Sequence, residues 1–371
     1  MKELLTRNEC TAMRGIAILA IVLHNYCHFI GKIVQENEYQ FFAMNNDRLW
    51  QAMTHPDALL PVHLLSYFGH YGVPVFLFLS GYGLVMKYEL MGTGPVSPNT
   101  RTHGTCPHEF AFLRYSYLKL LRMLIVGFSL FICVDRVTPG TFSFHWDNVL
   151  AQLLMYINVL PEPDKIIWPG IYWFFGLMIE LYIVYRLLLY RRSSWFVVAM
   201  IVICWLLQVF CDPEGETLNR LRYNFIGGML PFGLGLIVAR VRMGRTPSPQ
   251  GTDQQSARDG LFLWIPVLIV SVALVFAMCF NFQTWFWIPV FIIIGCVAMV
   301  KVMPGWLMKV FVWFGGISAA MFVAHPIARK LFITVAWKQD IYDGLMLYII
   351  AVIPLSWVVK QLIDRIPKPE L

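Results

Sequence analysis

Two ionisable side chains, His24 and Glu180, lie inside apolar segments that are long enough to cross a bilayer. His24 follows Arg14 by ten positions in the segment 13–29, so in a helix its ring lies roughly 15 Å above the guanidinium. Glu180, counted from the opposite face, is also roughly 15 Å deep. Because a lone ionisable group at that depth is strongly disfavoured, we expect one shared interior site that handles protons. The alternative is a structural histidine or His–Glu pair that only joins helices.

Four basic side chains form a second candidate group, Arg14, Arg114, Lys119 and Arg122. They lie at ends of apolar segments that we expect to face the same side of the membrane. Guanidinium and ammonium groups bind phosphate through charge-assisted hydrogen bonds. A cluster of these side chains would therefore suit a polyphosphate ligand, and a signal that only sets membrane orientation is the alternative.

Further polar side chains interrupt the apolar segments. Ser80 and Tyr82 lie in a segment with several glycines, and Trp173 stands near the start of the segment that contains Glu180. A late segment has a Gly-Gly pair and an internal His325-Pro sequence, which predicts a kinked helix. Small residues in membrane helices usually serve close packing, so packing is the alternative role of Ser80.

The composition requires a membrane protein. The chain has 371 residues, of which 58% are hydrophobic and 14% charged, and this predicts one all-α bundle with no separate soluble domain. The net charge of +7 comes from Lys and Arg in short connections, where they orient the protein, so no nucleic acid is expected as a partner. No Cys or His spacing is that of a metal site, and we expect neither a metal nor a permanently bound cofactor.

The apolar segments predict about ten transmembrane helices. They lie near 12–31, 68–87, 114–134, 171–190, 195–211, 223–240, 261–280, 284–302, 307–334 and 343–363. The shorter apolar piece 148–160 ends in Pro-Glu-Pro, and we interpret it as re-entrant or as lying at the outer face.

Charged residues in the connections predict the orientation. Lys and Arg concentrate on one side and Asp and Glu on the other, which places both termini in the cytoplasm of a multi-pass plasma-membrane protein. The first apolar segment has no cleavage site after it, so no signal peptide is expected. The connection 31–67 would lie outside as a substrate-binding lid or a plain connector, and 91–108 and 246–259 would be flexible loops.

These motifs together resemble the acyltransferase-3 family of integral membrane O-acyltransferases. The similarity spans nearly the whole chain and rests on five motifs in order: Met-Arg14-Gly to His24, Gly72-Val-Pro to Ser80-Gly-Tyr82, Phe112-Leu-Arg114 to Arg122, Trp173 to Glu180 and Tyr182, and Ile-Ser318 to His325-Pro326.

The resemblance implies an acyltransferase that moves an acyl group, an acetyl group above all, from cytoplasmic acyl-CoA to a hydroxyl. The acceptor would be a surface glycan, a glycolipid or an exopolysaccharide. On this resemblance His24 would be the general base and Glu180 its partner. Arg14, Arg114, Lys119 and Arg122 would bind the CoA phosphates, while Ser80, Tyr82, Trp173 and His325 would lie on the substrate side.

One spacing departs from the family. The family usually has ten residues between the arginine and the histidine, whereas nine separate Arg14 from His24, which turns the two side chains about 80° apart. His28 lies within about 40° of Arg14 and is the alternative base. Two functions from other classes stay open, a proton-coupled transporter with a His24–Glu180 relay and a glycan-binding subunit without catalysis.

Overall fold

The computed structural model of the protein describes residues 4–90, 108–243, 253–338 and 340–370, and within these ranges it is all-helical with no strand. Six helices of the described chain are long and apolar enough to cross a membrane. We name them with the other long helices in chain order: α1 (Arg7–Cys27), α2 (Leu60–Glu89), α3 (Glu109–Val137), α4 (Gly170–Leu189), α9 (Gly305–Lys338) and α10 (Ile341–Arg365).

Four further helices lie between α4 and α9, at the positions where the sequence predicted spans. They are α5 (Ser194–Val209), the bent pair α6 (Glu216–Tyr223 and Phe225–Met243), α7 (Asp253–Met278) and α8 (Ile288–Val302). The described apolar parts of α5, α7 and α8 are Ser194–Val209, Leu263–Met278 and Ile288–Val302, each of about 24 Å or less, which is shorter than the roughly 30 Å hydrocarbon core. The count of about ten spans is therefore not confirmed. The described residues give six, or seven if α6 counts as one broken span.

The segment 148–160 forms short pieces. An eight-residue helix, Trp146–Leu153, is followed by a 3₁₀ turn, Ile157–Val159. Eight residues span about 12 Å, too little to cross a bilayer. The Asn158 amide, which is buried, donates hydrogen bonds of 2.8 Å to the carbonyls of Trp173 and Tyr223, so the segment is tied to α4 and α6.

Contact between glycines sets the position of α1 against α9. A Cβ added at Gly15 would lie 2.0 Å from the Phe311 carbonyl oxygen, and one added at Gly315 would lie 1.9 Å from the Thr11 carbonyl oxygen. Only glycine permits so close an approach of two helix backbones. The helices run parallel from this contact, which brings the far ends of α1 and α9 together.

The connection after α1 folds back over that end as a loop, which we call the Glu36 loop (residues 31–42). Its Asn37 side chain is the centre of a buried network. The Asn37 Oδ1 accepts from the Phe42 backbone N–H and the Asn45 amide, both at 3.1 Å, and the Trp285 indole donates to the Asn37 carbonyl at 2.9 Å. The His63 ring accepts the Val34 N–H at 3.1 Å. These bonds fix Glu36 and Glu38 in place.

Candidate active site

A cavity of about 480 Å³ lies between the end of α1 and the Glu36 loop, and α2, α4 and α9 complete its wall. We call it the His24 cavity. Its lining combines histidines and carboxylates with aromatic rings, among them His24, His28, Glu36, Tyr39, Trp173 and Arg329. A concave site with a few converging polar groups is the usual form of a small-molecule site.

His24 has a fixed tautomer. Its Nδ1 lies 2.6 Å from the Ser66 carbonyl oxygen, which can only accept, so Nδ1 carries the proton and Nε2 is an acceptor. Ser66 lies in the last turn of a helical piece of α2, where carbonyls lack intrahelical partners. Gly69 allows the approach, because a Cβ there would lie 2.6 Å from the His24 Cβ.

Glu36 is the carboxylate that faces His24. Its Oε1 lies 3.9 Å from the His24 Nε2, and its Oε2 accepts a 2.7 Å hydrogen bond from the His28 Nδ1. Burial opposes ionisation of Glu36, but the attraction to a protonated His24 or His28 and the hydrogen bond from His28 outweigh it and lower the pKa of Glu36 to about 2. Glu36 is therefore an anion at neutral pH.

Glu180 lies elsewhere, and the expectation that it shares a site with His24 is wrong. It lines a separate cavity of about 580 Å³, together with Arg220 and Asn224. Its Oε2 accepts the Phe225 backbone N–H at 2.7 Å. That N–H opens the second half of α6 after a 44° bend and has no intrahelical partner. The carboxylate thus caps a helix start.

The basic side chains divide into two groups. Lys119 lies within electrostatic range of Arg14 and of Lys87, and Lys87 was not among the residues expected from the sequence. Arg122 turns away, and its Nη2 donates a 2.8 Å hydrogen bond to the Ile363 carbonyl in the last turn of α10. Arg114 is exposed on α3.

The four residues expected on the substrate side are also separated. Trp173 lines the His24 cavity, with its ring 5.4 Å from the Tyr39 ring. His325 is fully buried behind the wall, its Nδ1 bonded to the Met321 carbonyl at 3.0 Å. Ser80 and Tyr82 do not line the cavity among the described residues, and Ser80 contacts Tyr182 nearer to Arg14.

Several residues of the His24 cavity were not selected from the sequence. Glu36 was counted only as an acidic residue of an outer connection, and no spacing rule links it to His24. His70 is buried in the wall, 5.6 Å from His24 between ring centres, and neither of its nitrogens has a hydrogen-bond partner in the described chain. Arg329 lies one helical turn beyond His325, so the His-Pro motif pointed to the right part of α9.

The family follows from a direct comparison. A family model of the acyltransferase domain, acyltransferase-3, matches residues 8–361. The chain belongs to the acyltransferase-3 family. It is therefore an enzyme that transfers acyl groups and has apolar helices typical of a membrane protein. No curated protein and no solved structure matches it.

The spacing anomaly of this acyltransferase has a structural counterpart. At the usual family spacing the histidine position is Asn25, and both His24 and Asn25 line the His24 cavity. The Asn25 Oδ1 accepts a 3.3 Å hydrogen bond from the Arg329 guanidinium. The imidazole is thus displaced by one residue towards Glu36, and a polar amide occupies the next position.

The His24, His28 and Glu36 side chains also form a possible set of metal ligands. One ligand atom from each lies within 4.8 Å of the others. Two histidines and one carboxylate are a known ligand set for divalent transition metals. The same nitrogen of His24 that faces the cavity would then be a ligand, so a bound metal and a free base exclude each other.

Proposed function

We propose that this acyltransferase moves an acetyl group from cytoplasmic acyl-CoA to a hydroxyl of a surface glycan, a glycolipid or an exopolysaccharide. The plasma membrane holds it with both termini in the cytoplasm. One observation carries the proposal: His24 has its Nδ1 proton held by the Ser66 carbonyl and its Nε2 directed towards the ionised Glu36 at 3.9 Å, at the wall of a cavity. This is the arrangement of a general base with a nearby anion.

The proposed reaction is a direct transfer. The hydroxyl proton of the acceptor moves to the His24 Nε2 as its oxygen attacks the thioester carbonyl. The carbon–sulfur bond then breaks, and the CoA thiolate leaves with the proton that His24 returns. Glu36 stabilises the imidazolium that exists between the two steps, because opposite charges attract strongly in a cavity with little water.

In this proposal His28 positions the Glu36 carboxylate and does not accept the proton of the substrate. Its Nδ1 is bound to Glu36, and its side chain is 30% exposed compared with 5% for His24. A more buried base with a backbone partner keeps one orientation through the reaction. His28 is therefore assigned the positioning of the carboxylate.

The donor side of the proposal uses Arg14 and Lys119, with Lys87 beside them, for the CoA phosphates. Arg14 lies roughly 15 Å along α1 from His24, a separation that the extended pantetheine arm of CoA bridges. Arg114 stays a candidate on the exposed face of α3. Arg122 is bound to the end of α10, which favours a structural role for it.

The acceptor side uses the aromatic wall. Tyr39 stacks on Tyr223 at 4.0 Å between ring centres, and Trp173 lies edge-on to both. Aromatic rings with polar neighbours suit the apolar face and the hydroxyls of a sugar. Trp173 is thus assigned to the acceptor, whereas Ser80, Tyr82 and His325 would act on the path between donor and cavity or behind its wall.

The test is a transfer assay with purified protein in liposomes that contain labelled acetyl-CoA. We expect label in an added saccharide and release of free CoA thiol in equal amounts. A proton current that depends on His24 with no thioester consumed would overturn the proposal in favour of a transporter. The separation of Glu180 from His24 removes the relay pair that the transporter would use. Saccharide binding that survives His24→Ala, with no transfer by the unmodified protein, would instead favour a binding subunit.

A further inference from the structure

Arg329 is a buried cation that faces the His24 cavity from α9. Its guanidinium lies 3.7 Å from the centre of the Phe29 ring, and its Nη1 donates to the Asn25 amide oxygen at 3.3 Å. Among the described residues, no carboxylate oxygen lies within 4.0 Å of it. The side chain is 5% exposed, so it is charged and nearly out of contact with bulk water.

Another buried arginine shows how this protein neutralises such a charge. Arg240 forms a two-armed pair with Glu89, at 2.9 and 2.8 Å, and also donates to the Leu189 carbonyl. A buried charge is strongly unfavourable without a partner of opposite sign. The neighbours of Arg329 are a neutral amide, an aromatic face and the Tyr348 phenol, none of which is an anion at neutral pH, so a partner of opposite charge is missing from the described chain.

The acidic residues of the same cavity do not supply that partner. Glu36 is bound to His28 and faces the histidines. Asp164 accepts a 3.1 Å hydrogen bond from the Asn219 amide. Glu38 forms no ion pair with Arg329 among the described residues, and the arginine whose charge acts on it is Arg222.

The location of Arg329 is fixed from both sides. The glycine contacts of α1 with α9 set the level at which Asn25 and Arg329 meet. The Phe29 ring holds the plane of the guanidinium, and stacking of this kind leaves the edge donors free. A planar set of N–H donors fixed in this way matches the two oxygens of a carboxylate or a phosphate.

We propose that Arg329 binds an anionic group of the acceptor, so that the preferred acceptor is an acidic saccharide bearing a carboxylate or a phosphate. This inference rests on the proposed function, in which the acceptor occupies the His24 cavity. The sugar ring lies against the Tyr39 and Trp173 wall, its acidic group pairs with Arg329, and a neighbouring hydroxyl faces His24.

The experiment compares three acceptors that differ only in the group at C6: methyl β-glucuronide with a carboxylate, methyl β-glucoside with a neutral hydroxymethyl group, and the 6-phosphate of methyl β-glucoside with a phosphate. Transfer from acetyl-CoA is measured with the full protein in liposomes. We expect the KM for a charged acceptor to be about tenfold or more below that for the neutral glucoside. A preference for the glucuronide identifies a carboxylate, and a preference for the 6-phosphate identifies a phosphate. Equal KM values for all three would overturn the proposal.

Arg329→Gln tests the residue itself. It should raise the KM for the charged acceptor about tenfold or more, with little change in kcat and none in the KM for the glucoside. Arg329→Lys should have a KM for the charged acceptor between those of the unmodified protein and Arg329→Gln, because an ammonium keeps the charge and loses the two-armed geometry. Arg136→Gln, at an exposed position of α3, is the matched control. An equal fall of kcat for charged and neutral acceptors would show that Arg329 acts on the transition state or the fold instead.

A binding measurement separates this inference from the proposed function. Trp168 and Trp173 line the cavity, so their fluorescence reports methyl β-glucuronide in the absence of any donor. If no saccharide is acylated but the glucuronide still binds in an Arg329-dependent manner, the proposed function fails and the anion site stands. If transfer occurs and Arg329→Gln binds the glucuronide as well as the unmodified protein does, only the anion site fails.

Discussion

His24 and Glu36 face each other at the wall of the His24 cavity, with 3.9 Å between Nε2 and Oε1. His24 belongs to a membrane helix and Glu36 to a loop. The loop brings its carboxylate to the imidazole because the buried Asn37 network holds the backbone on either side of Glu36. Helix and loop thus share one site, in which the imidazole comes from a helix and the carboxylate from a loop. A carboxylate held in this way stabilises an imidazolium without moving.

Replacing the two glutamates separately should distinguish their roles. Glu36→Gln should lower kcat for acyl transfer by a factor smaller than the about 10²–10⁴-fold contributed by a general base, because the amide keeps the shape and loses the charge. Glu180→Gln should leave kcat close to its original value, since Glu180 caps the second half of α6. Initial rates at saturating donor and acceptor check both. A large kcat loss in Glu180→Gln alone would contradict the assignment of Glu36.

The sequence predicted the depth of His24 in the membrane but not the carboxylate that it faces. Counting residues along a helix gives the depth of a side chain in the membrane, and this count placed Glu180 and His24 at the same depth. The count does not give the direction in which a side chain points or the fold of a loop. The position of Glu36 beside His24 depends on hydrogen bonds of Asn37 with residues up to 248 positions away, and no local pattern encodes those contacts. The family and the all-helical fold could be predicted from the sequence, because they are indicated by ordered motifs and by the length of the apolar segments, which are local properties.

Stability should depend on pH through Glu38. Burial, with the charge of Glu36 as the second cause, raises the pKa of Glu38 from 4.5 to about 8, so the folded protein binds this proton where the unfolded chain has lost it. The contribution to stability is then full below about pH 4.5 and falls as the pH rises to about 8, following proton linkage. Melting temperatures in detergent should decline over that range. In Glu38→Gln the decline should be smaller, and an unchanged slope would contradict the assignment.

Divalent metals should inhibit this enzyme rather than support it. The ligand atoms of His24, His28 and Glu36 lie within 4.8 Å of one another, so Zn²⁺ can occupy the Nε2 that the proposed reaction needs free. We expect a chelator to leave the transfer rate unchanged and added Zn²⁺ to lower it. His28→Ala should weaken the inhibition, because it removes one ligand. Loss of activity in chelator, restored by Zn²⁺, would show instead a catalytic metal.

The basic side chains should differ in their effect on the donor. Arg14→Ala and Lys87→Ala should each raise the KM for acetyl-CoA about tenfold or more, the effect of losing one hydrogen bond between charged groups. Arg122→Ala should mainly lower the melting temperature, because its guanidinium binds the last turn of α10. Arg191→Ala is the control at an exposed turn. Equal KM increases in all four variants would indicate a general defect of folding.

The choice between His24 and His28 as the base is decided by a pair of alanine variants. His24→Ala should abolish transfer while membrane expression and melting temperature stay close to those of the unmodified protein. His28→Ala should retain a reduced rate, because Glu36 keeps its position through the loop backbone and the Asn37 network. His28→Gln should transfer faster than His28→Ala, because the glutamine amide can donate a hydrogen bond to Glu36. If His28→Ala abolishes transfer and His24→Ala retains most of it, the base is His28, and the shortened spacing after Arg14 has moved the reaction to the residue that caps the end of α1.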